Sequence, residues 1–358
     1  MRSFDRSDRG RAVALAIALA IALAVAVVGS AAAARSARSR EPRRDVTPPP
    51  RAAAAIREFV IPRAGAFPHD PAVGADGVVW YTDQANSYIG RLDPATGKIT
   101  DYPTPTPESG PHGIVVAPDG MVWYTGNANG RIGKLDPKTG KITEYVLPDE
   151  ARDPHTPAIQ GGKVWFTAQQ SNLIGVLDPA TGETKLYRPR AARAKPYGLV
   201  PASPKADLWA ALFGTNELAH IVTATGAIHE IPLPHADARP RRLAVDGDGN
   251  VWYTDYARSR LGVVNTKTHA MREWPTPSDD AGPYGIAIGP DGRIWFDEAR
   301  TSLIVAFDPR TERMETVPIP TKGAIVRNIA VDSARGRIWL ALSGTGRIGE
   351  IELGPVRQ

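Results

Sequence analysis

Residues 111–145 read PHGIVVAPDGMVWYTGNANGRIGKLDPKTGKITEY. Four short runs with alternating β-branched and polar residues are divided by turn residues, the pattern of four antiparallel strands. The runs fall at residues 113–117, 121–125, 131–135 and 141–145, and Asp119-Gly120 supplies the tight turn between the first two. The tryptophan of the second run recurs as Trp80, Trp123, Trp165, Trp209, Trp252, Trp295 and Trp339, at gaps of 43, 42, 44, 43, 43 and 44 residues. A fixed period of this size is the mark of a repeat architecture, and four strands per period make a propeller blade. The chain is therefore predicted to be all-β, a seven-bladed β-propeller of four-stranded antiparallel blades.

The ends of the repeat array indicate how the ring closes. Residues 55–62, AIREFVIP, have no tryptophan repeat in front of them and match the tails of later repeats, KITEYVLP at 141–148 and AIHEIPLP at 227–234. The last repeat stops after RIGEIEL, residues 347–353, without an outer strand. The N-terminal strand is expected to complete the last blade, which leaves no terminal edge unpaired. The propeller then occupies residues 56–354. Its seven periodic tryptophans read as core between neighbouring sheets, and Trp274, off the period, as an outer-strand residue.

Residues 1–34 are of another composition. Arg2, Arg6, Arg9 and Arg11 precede an apolar run over residues 12–28 and then small residues at 31–34. That order describes a secretory signal peptide, with an uncleaved membrane anchor as the alternative. Residues 35–55, rich in Arg and Pro, read as a disordered tether. Ten of the 43 basic residues and four of the 38 acidic ones lie in residues 1–51, so the remainder is close to neutral. The basic excess therefore lies outside the propeller, and nucleic-acid binding is discounted. The absence of cysteine excludes disulfides, thiolate metal sites and a lipidated cysteine. The expectation is an exported monomer, periplasmic or extracellular, touching the membrane only if the N-terminal segment stays attached.

If each innermost strand runs from the top face to the bottom, the residues at its start converge on the mouth of the central channel. In blade order these are His69, His112, His155, Tyr197, Arg241, Tyr284 and Arg327. The three histidines each follow a proline and occupy consecutive blades. Since four other blades manage with Tyr or Arg, the fold does not require His there, and the trio reads as a candidate catalytic group. Tyr197, Arg241, Tyr284 and Arg327 read as candidate substrate contacts. A second row, three residues after each periodic tryptophan, holds Asp83, Gly126, Ala168, Leu212, Asp255, Glu298 and Leu342. Of these, Asp83 and Glu298 are candidate metal ligands, and Glu298 a further candidate catalytic carboxylate. Imidazole and carboxylate around a dry pocket suit acid–base chemistry or a divalent cation.

The repeat Pro-His-Gly-Ile, Asp-Gly-x-Val-Trp-Tyr-Thr, Arg-Ile-Gly-Lys-Leu-Asp-Pro, Gly-Lys-Ile-Thr-Glu-Tyr resembles the streptogramin B lyase (virginiamycin B lyase) family of seven-bladed propellers over residues 56–353. The resemblance implies a magnesium-dependent carbon–oxygen lyase that opens a cyclic depsipeptide by elimination at its ester bond, without water. It implies a metal that polarises a carbonyl, a His that takes the α proton and a Glu that helps hold the site. The family places its His at the innermost-strand start of two neighbouring late blades and its Glu after the tryptophan strand of the second. Those positions here are Arg241, Tyr284 and Glu298, so the Glu is matched and the histidines lie instead in the early blades. The expected ligand is a small molecule or cyclic peptide. A non-catalytic ring that binds an envelope ligand is the alternative, and a lactonase-type hydrolase is disfavoured by seven periods rather than six.

Overall fold

The second strand of each repeat is flanked on both sides, and its residues explain the packing of the blade. A computed structural model describes residues 55–203 and 207–353. In it the chain forms seven four-stranded antiparallel sheets. Six take four consecutive strands each, at residues 68–103, 111–146, 154–187, 196–232, 240–275 and 283–318. The seventh joins three late strands, Val326–Asp332, Arg337–Leu342 and Arg347–Glu352, to the N-terminal strand Ile56–Val60. In the second blade the strands are Pro111–Val116, Val122–Gly126, Arg131–Leu135 and Ile142–Val146, within two residues of the sequence expectation.

The closing strand pairs with Arg347–Glu352 through five residues, from Ile56 opposite Ile351 to Val60 opposite Arg347. Ile56, Phe59 and Ile61 are buried there. Glu58 adds polar ties, accepting from the Thr321 backbone and hydroxyl and facing Arg347. The leader at residues 1–34, and the tether at 35–55 apart from Ala55, lie outside the described residues.

All seven periodic tryptophans are at most 4% exposed, which confirms them as core rather than as a stacking surface. The Ile-Gly of the third strand has a steric origin. A Cβ on Gly133 would penetrate the ring of Tyr124 on the neighbouring strand, and one on Gly90 would penetrate that of Tyr81.

The feature that positions the mouth is a bulge. In every blade the register between first and second strands shifts near the top, as between Pro68 and Pro71 or between Pro240 and Leu243. Two residues of the inner strand then oppose one of its partner, which bends the strand and re-aims its side chains. The threonine of Val-Trp-Tyr-Thr secures the bulge from both sides. Its hydroxyl accepts the bulge N–H of its own blade, as Thr82 does from Asp70 and Thr125 from Gly113. It also donates to a carbonyl of the next blade: Thr82 to His112, Thr125 to His155, Thr167 to Tyr197 and Thr254 to Tyr284, at 2.7 to 2.8 Å. Blades four and seven carry Ala211 and Ala341 at this position, and blade six carries Asp297.

Candidate functional site at the channel mouth

The upper layer of the bulges brings the first predicted row together. The ring centroid of His69 lies 3.8 Å from that of His112, His112 lies 3.7 Å from His155, and His155 lies 4.1 Å from Tyr197. The Tyr197 and Tyr284 hydroxyls meet in a short hydrogen bond. Arg241 donates to the Tyr197 hydroxyl at 3.1 Å, and its guanidinium lies 3.9 Å from the Tyr284 ring centroid. Tyr197, Phe213 and Tyr256 pack around the same guanidinium. Arg327 reaches the Tyr284 ring from the other neighbouring blade, at 5.8 Å. One arc of the mouth is therefore imidazole, and the facing arc is tyrosine and arginine.

The lower layer was not singled out in the sequence. Its residues, one position after the first row, are Asp70, Gly113, Thr156, Gly198, Arg242, Gly285 and Asn328. Side chains alternate with glycine from blade to blade. The glycines are required because a Cβ on Gly113 would strike the His155 carbonyl and one on Gly198 would lie 2.7 Å from the Arg241 carbonyl. Arg242 spans to Asp70 at 2.8 and 3.0 Å and donates to Thr156 at 3.3 Å. This polar layer caps a cavity of about 540 Å³ that extends toward Pro118, Gln160 and Ser203. The alternation with glycine, visible once the repeats are aligned, is the signal that could have revealed it.

The two layers are linked. His69 Nδ1–H donates to Asp70 Oδ1 at 2.9 Å, and His155 Nδ1 pairs with the Thr156 hydroxyl at 3.1 Å. His112, whose lower neighbour is Gly113, has a buried Nδ1 without a partner. Burial first, and then the charges of the nearby arginines or of another histidine of the stack, holds all three imidazoles well below the usual histidine range. They are neutral at physiological pH, and the Asp70 bond fixes the tautomer of His69 with its Nε2 lone pair free. Burial pushes Asp70 upward while Arg242 pulls it back. Burial also pushes Tyr284 up, but the three guanidinium groups outweigh it and leave the phenol below its ordinary value. Tyr197 is pushed up by burial.

The second predicted row stays out of this cluster. Asp83 accepts from the Phe67 backbone at 3.1 Å and from Asn86 at 2.9 Å, and it pairs with Arg63. Asp255 accepts from the Arg239 backbone at 2.9 Å. Glu298 accepts from the Ser278 backbone at 3.0 Å and the Thr301 hydroxyl at 2.6 Å. All three are fully buried. Side chains alternate along a strand, so the residue after the inward-facing threonine points to the other face and braces the loops there.

Magnesium, the metal implied by the family resemblance, favours a near-octahedral set of oxygens. Of the two acids near the mouth, Asp70 has both oxygens held by Arg242, and Asp297 is buried in a setting that favours its protonated form, among three guanidinium groups. Glu298, the matched family carboxylate, is committed to its loop. The residues present do not form a magnesium set. His69, Asp70 and His112 are the group of His and acidic residues, among those described, close enough to share an ion, with ligand atoms within 4.8 Å of one another. Their nitrogen-rich character suits zinc or iron better than magnesium.

A seven-bladed propeller with a buried polar cluster at its channel mouth is the class of protein defined by fold and site. The virginiamycin B lyase family model matches residues 50–221 and 190–356, and the chain belongs to that family. It is similar to a streptogramin B lyase structure at 27% identity and a TM-score of 0.77, covering 84% of this chain and 98% of that one. It is likewise similar to virginiamycin B lyase from Staphylococcus aureus, at 27% identity, a TM-score of 0.77 and coverage of 84% and 99%. A catalytically inactive His-to-Ala variant of the S. aureus enzyme with quinupristin gives 26% identity, a TM-score of 0.78 and coverage of 84% and 99%. Among curated proteins none matches the chain.

Proposed function

We propose that this protein is an exported carbon–oxygen lyase that opens a cyclic ester or depsipeptide at the top-face mouth. The observation that carries the reading is the Asp70–His69 pair, a neutral imidazole oriented by a buried carboxylate and facing a tyrosine–arginine arc. His69 Nε2 takes the proton from the carbon that lies between a neighbouring carbonyl and the carbon bearing the ester oxygen. The electron pair of that C–H bond moves toward the carbonyl, and the enolate oxygen is stabilised by Arg241 or Arg327, a role of positioned charge. The pair then forms the carbon–carbon double bond as the β carbon–oxygen bond breaks. The ester oxygen departs within a carboxylate, stable as the anion beside the guanidinium groups, and the proton held by His69 passes to solvent. No water is consumed, and Asp70 keeps its charge throughout.

The test is turnover of a cyclic depsipeptide, followed by mass spectrometry. Elimination leaves the product mass equal to that of the substrate, whereas hydrolysis adds one water. A product of unchanged mass with a new unsaturation, lost in His69→Ala and retained in Glu298→Gln, supports the reading. Failure to open any cyclic ester would leave the ring as a ligand-binding scaffold. Export is tested separately by the N-terminal sequence of protein recovered outside the cytoplasm.

A further inference from the structure

We propose that the mouth recognises a carboxylate group of its ligand, held between the guanidinium groups of Arg241 and Arg327 above the Tyr284 ring. This deepens the preceding reading by naming the chemistry of the substrate, and it rests on the mouth being the ligand site.

Three guanidinium groups surround Tyr284, with Cζ atoms 3.9 Å (Arg241), 5.8 Å (Arg242) and 5.8 Å (Arg327) from its ring centroid. One carboxylate, Asp70, is paired with them, and Arg242 takes both of its oxygens. Arg241 spends its one hydrogen bond on the Tyr197 hydroxyl. Arg327 has ring contacts but no ion pair among the described residues. The Nε atoms of Arg241, Arg242 and Arg327 are all buried without a hydrogen-bond partner.

The other nearby acid does not balance this charge. Asp297 is fully buried, one of its oxygens accepts the Gly285 N–H at 2.6 Å, and the second has no partner. Burial pushes its carboxyl well above the usual range, which favours the protonated form. Three guanidinium groups therefore share a single ion-paired carboxylate, Asp70, and leave planar donors unsatisfied. Buried charges are stable when paired, and a guanidinium fork matches a carboxylate in two parallel hydrogen bonds. Arg241 and Arg327 are only half-buried, so a ligand entering from the top can reach them. The aromatic walls of Phe213 and Tyr256 beside Arg241 suit an acid carried on an organic frame better than a free, strongly hydrated inorganic ion.

The test is titration calorimetry of the intact protein with malonate and, separately, with inorganic phosphate in neutral low-salt buffer. The expected result is saturable malonate binding, tighter than phosphate, weakened at least about tenfold by Arg327→Gln and less by Arg327→Lys. Circular dichroism and melting of each variant establish that it is folded. Absence of malonate binding, phosphate binding tighter than malonate, or equal affinity in Arg327→Gln would each overturn the proposal. Malonate has no leaving group to eliminate, so its affinity is expected to survive His69→Ala. Turnover of a cyclic ester without malonate binding would sink this inference alone, and malonate binding without turnover would sink the lyase alone.

Discussion

Arg242 on the fifth blade donates to both oxygens of Asp70 on the first, at 2.8 and 3.0 Å, across the centre of the ring. The two side chains are 5% and 3% exposed, so little solvent screens the pair. Removing one partner strands the other as a buried charge, at a cost of about 3–5 kcal/mol. Asp70→Asn is expected to lower the denaturation free energy by that amount. Replacing both with apolar residues should recover most of the loss, since a buried pair gains little over good apolar packing. A single Asp70→Asn variant as stable as the wild type would show that the pair is not braced as described.

Asp297 occupies the place of the clamp threonine in blade six. A threonine there would accept from the bulge and donate to the next blade, as Thr254 does to the Tyr284 carbonyl at 2.8 Å. Asp297 accepts but carries a partnerless oxygen. Asp297→Thr is expected to raise stability at neutral pH by about 1 kcal/mol, one net hydrogen bond, and to raise Tm. A lower Tm would assign the carboxyl a structural role that the threonine cannot fill.

The histidine stack and Asp297 give opposite pH dependences. With folded values depressed well below about 6.5, the three histidines stay neutral while the unfolded chain takes up protons, so stability falls as pH drops below about 6.5. Asp297 is raised in the folded state, so it keeps a proton that the unfolded chain releases above about 3.9. Its contribution is present at low pH and is lost as pH rises toward its folded value. His112→Gln is expected to reduce the acid-side slope by about 1.4 kcal/mol per pH unit, and Asp297→Asn to reduce the loss on the rising side. Urea titrations at a series of pH values would check both signs, and parallel curves for wild type and His112→Gln would contradict the first.

The donor set predicts indifference to magnesium. Adding it to protein stripped with a chelator should leave Tm unchanged, whereas a ligand that binds only the folded state raises Tm with the logarithm of its concentration above Kd. A concentration-dependent rise, abolished by Glu298→Gln, would restore magnesium and the loop carboxylate to the site.

Deleting residues 55–62 should destabilise the whole ring rather than one edge of it. The deletion removes the five-residue pairing to Arg347–Glu352 and the buried Ile56, Phe59 and Ile61, and it exposes a sheet edge. An unchanged Tm would refute closure by the N-terminal strand.

The repeat period and the turn chemistry were legible because every blade repeats them, and local alternation decides which residues form strands. The matching tail at residues 55–62 likewise revealed the closure, since a strand without a repeat of its own needs a partner elsewhere. The first row of the mouth followed from the same alignment. The second row lies apart from the first because alternation beyond the threonine turns Asp83 and Glu298 to the other face, where they bond loop groups.

By itself, then, the sequence determined a closed ring of seven blades and a stack of His69, His112 and His155 at its mouth. Period and position along a strand are local properties. Tertiary structure alone decided that Asp70 and Arg242, 172 positions apart, should meet. A bulge in each blade turns two consecutive residues inward, and only closure of the ring sets which of them face one another across the channel.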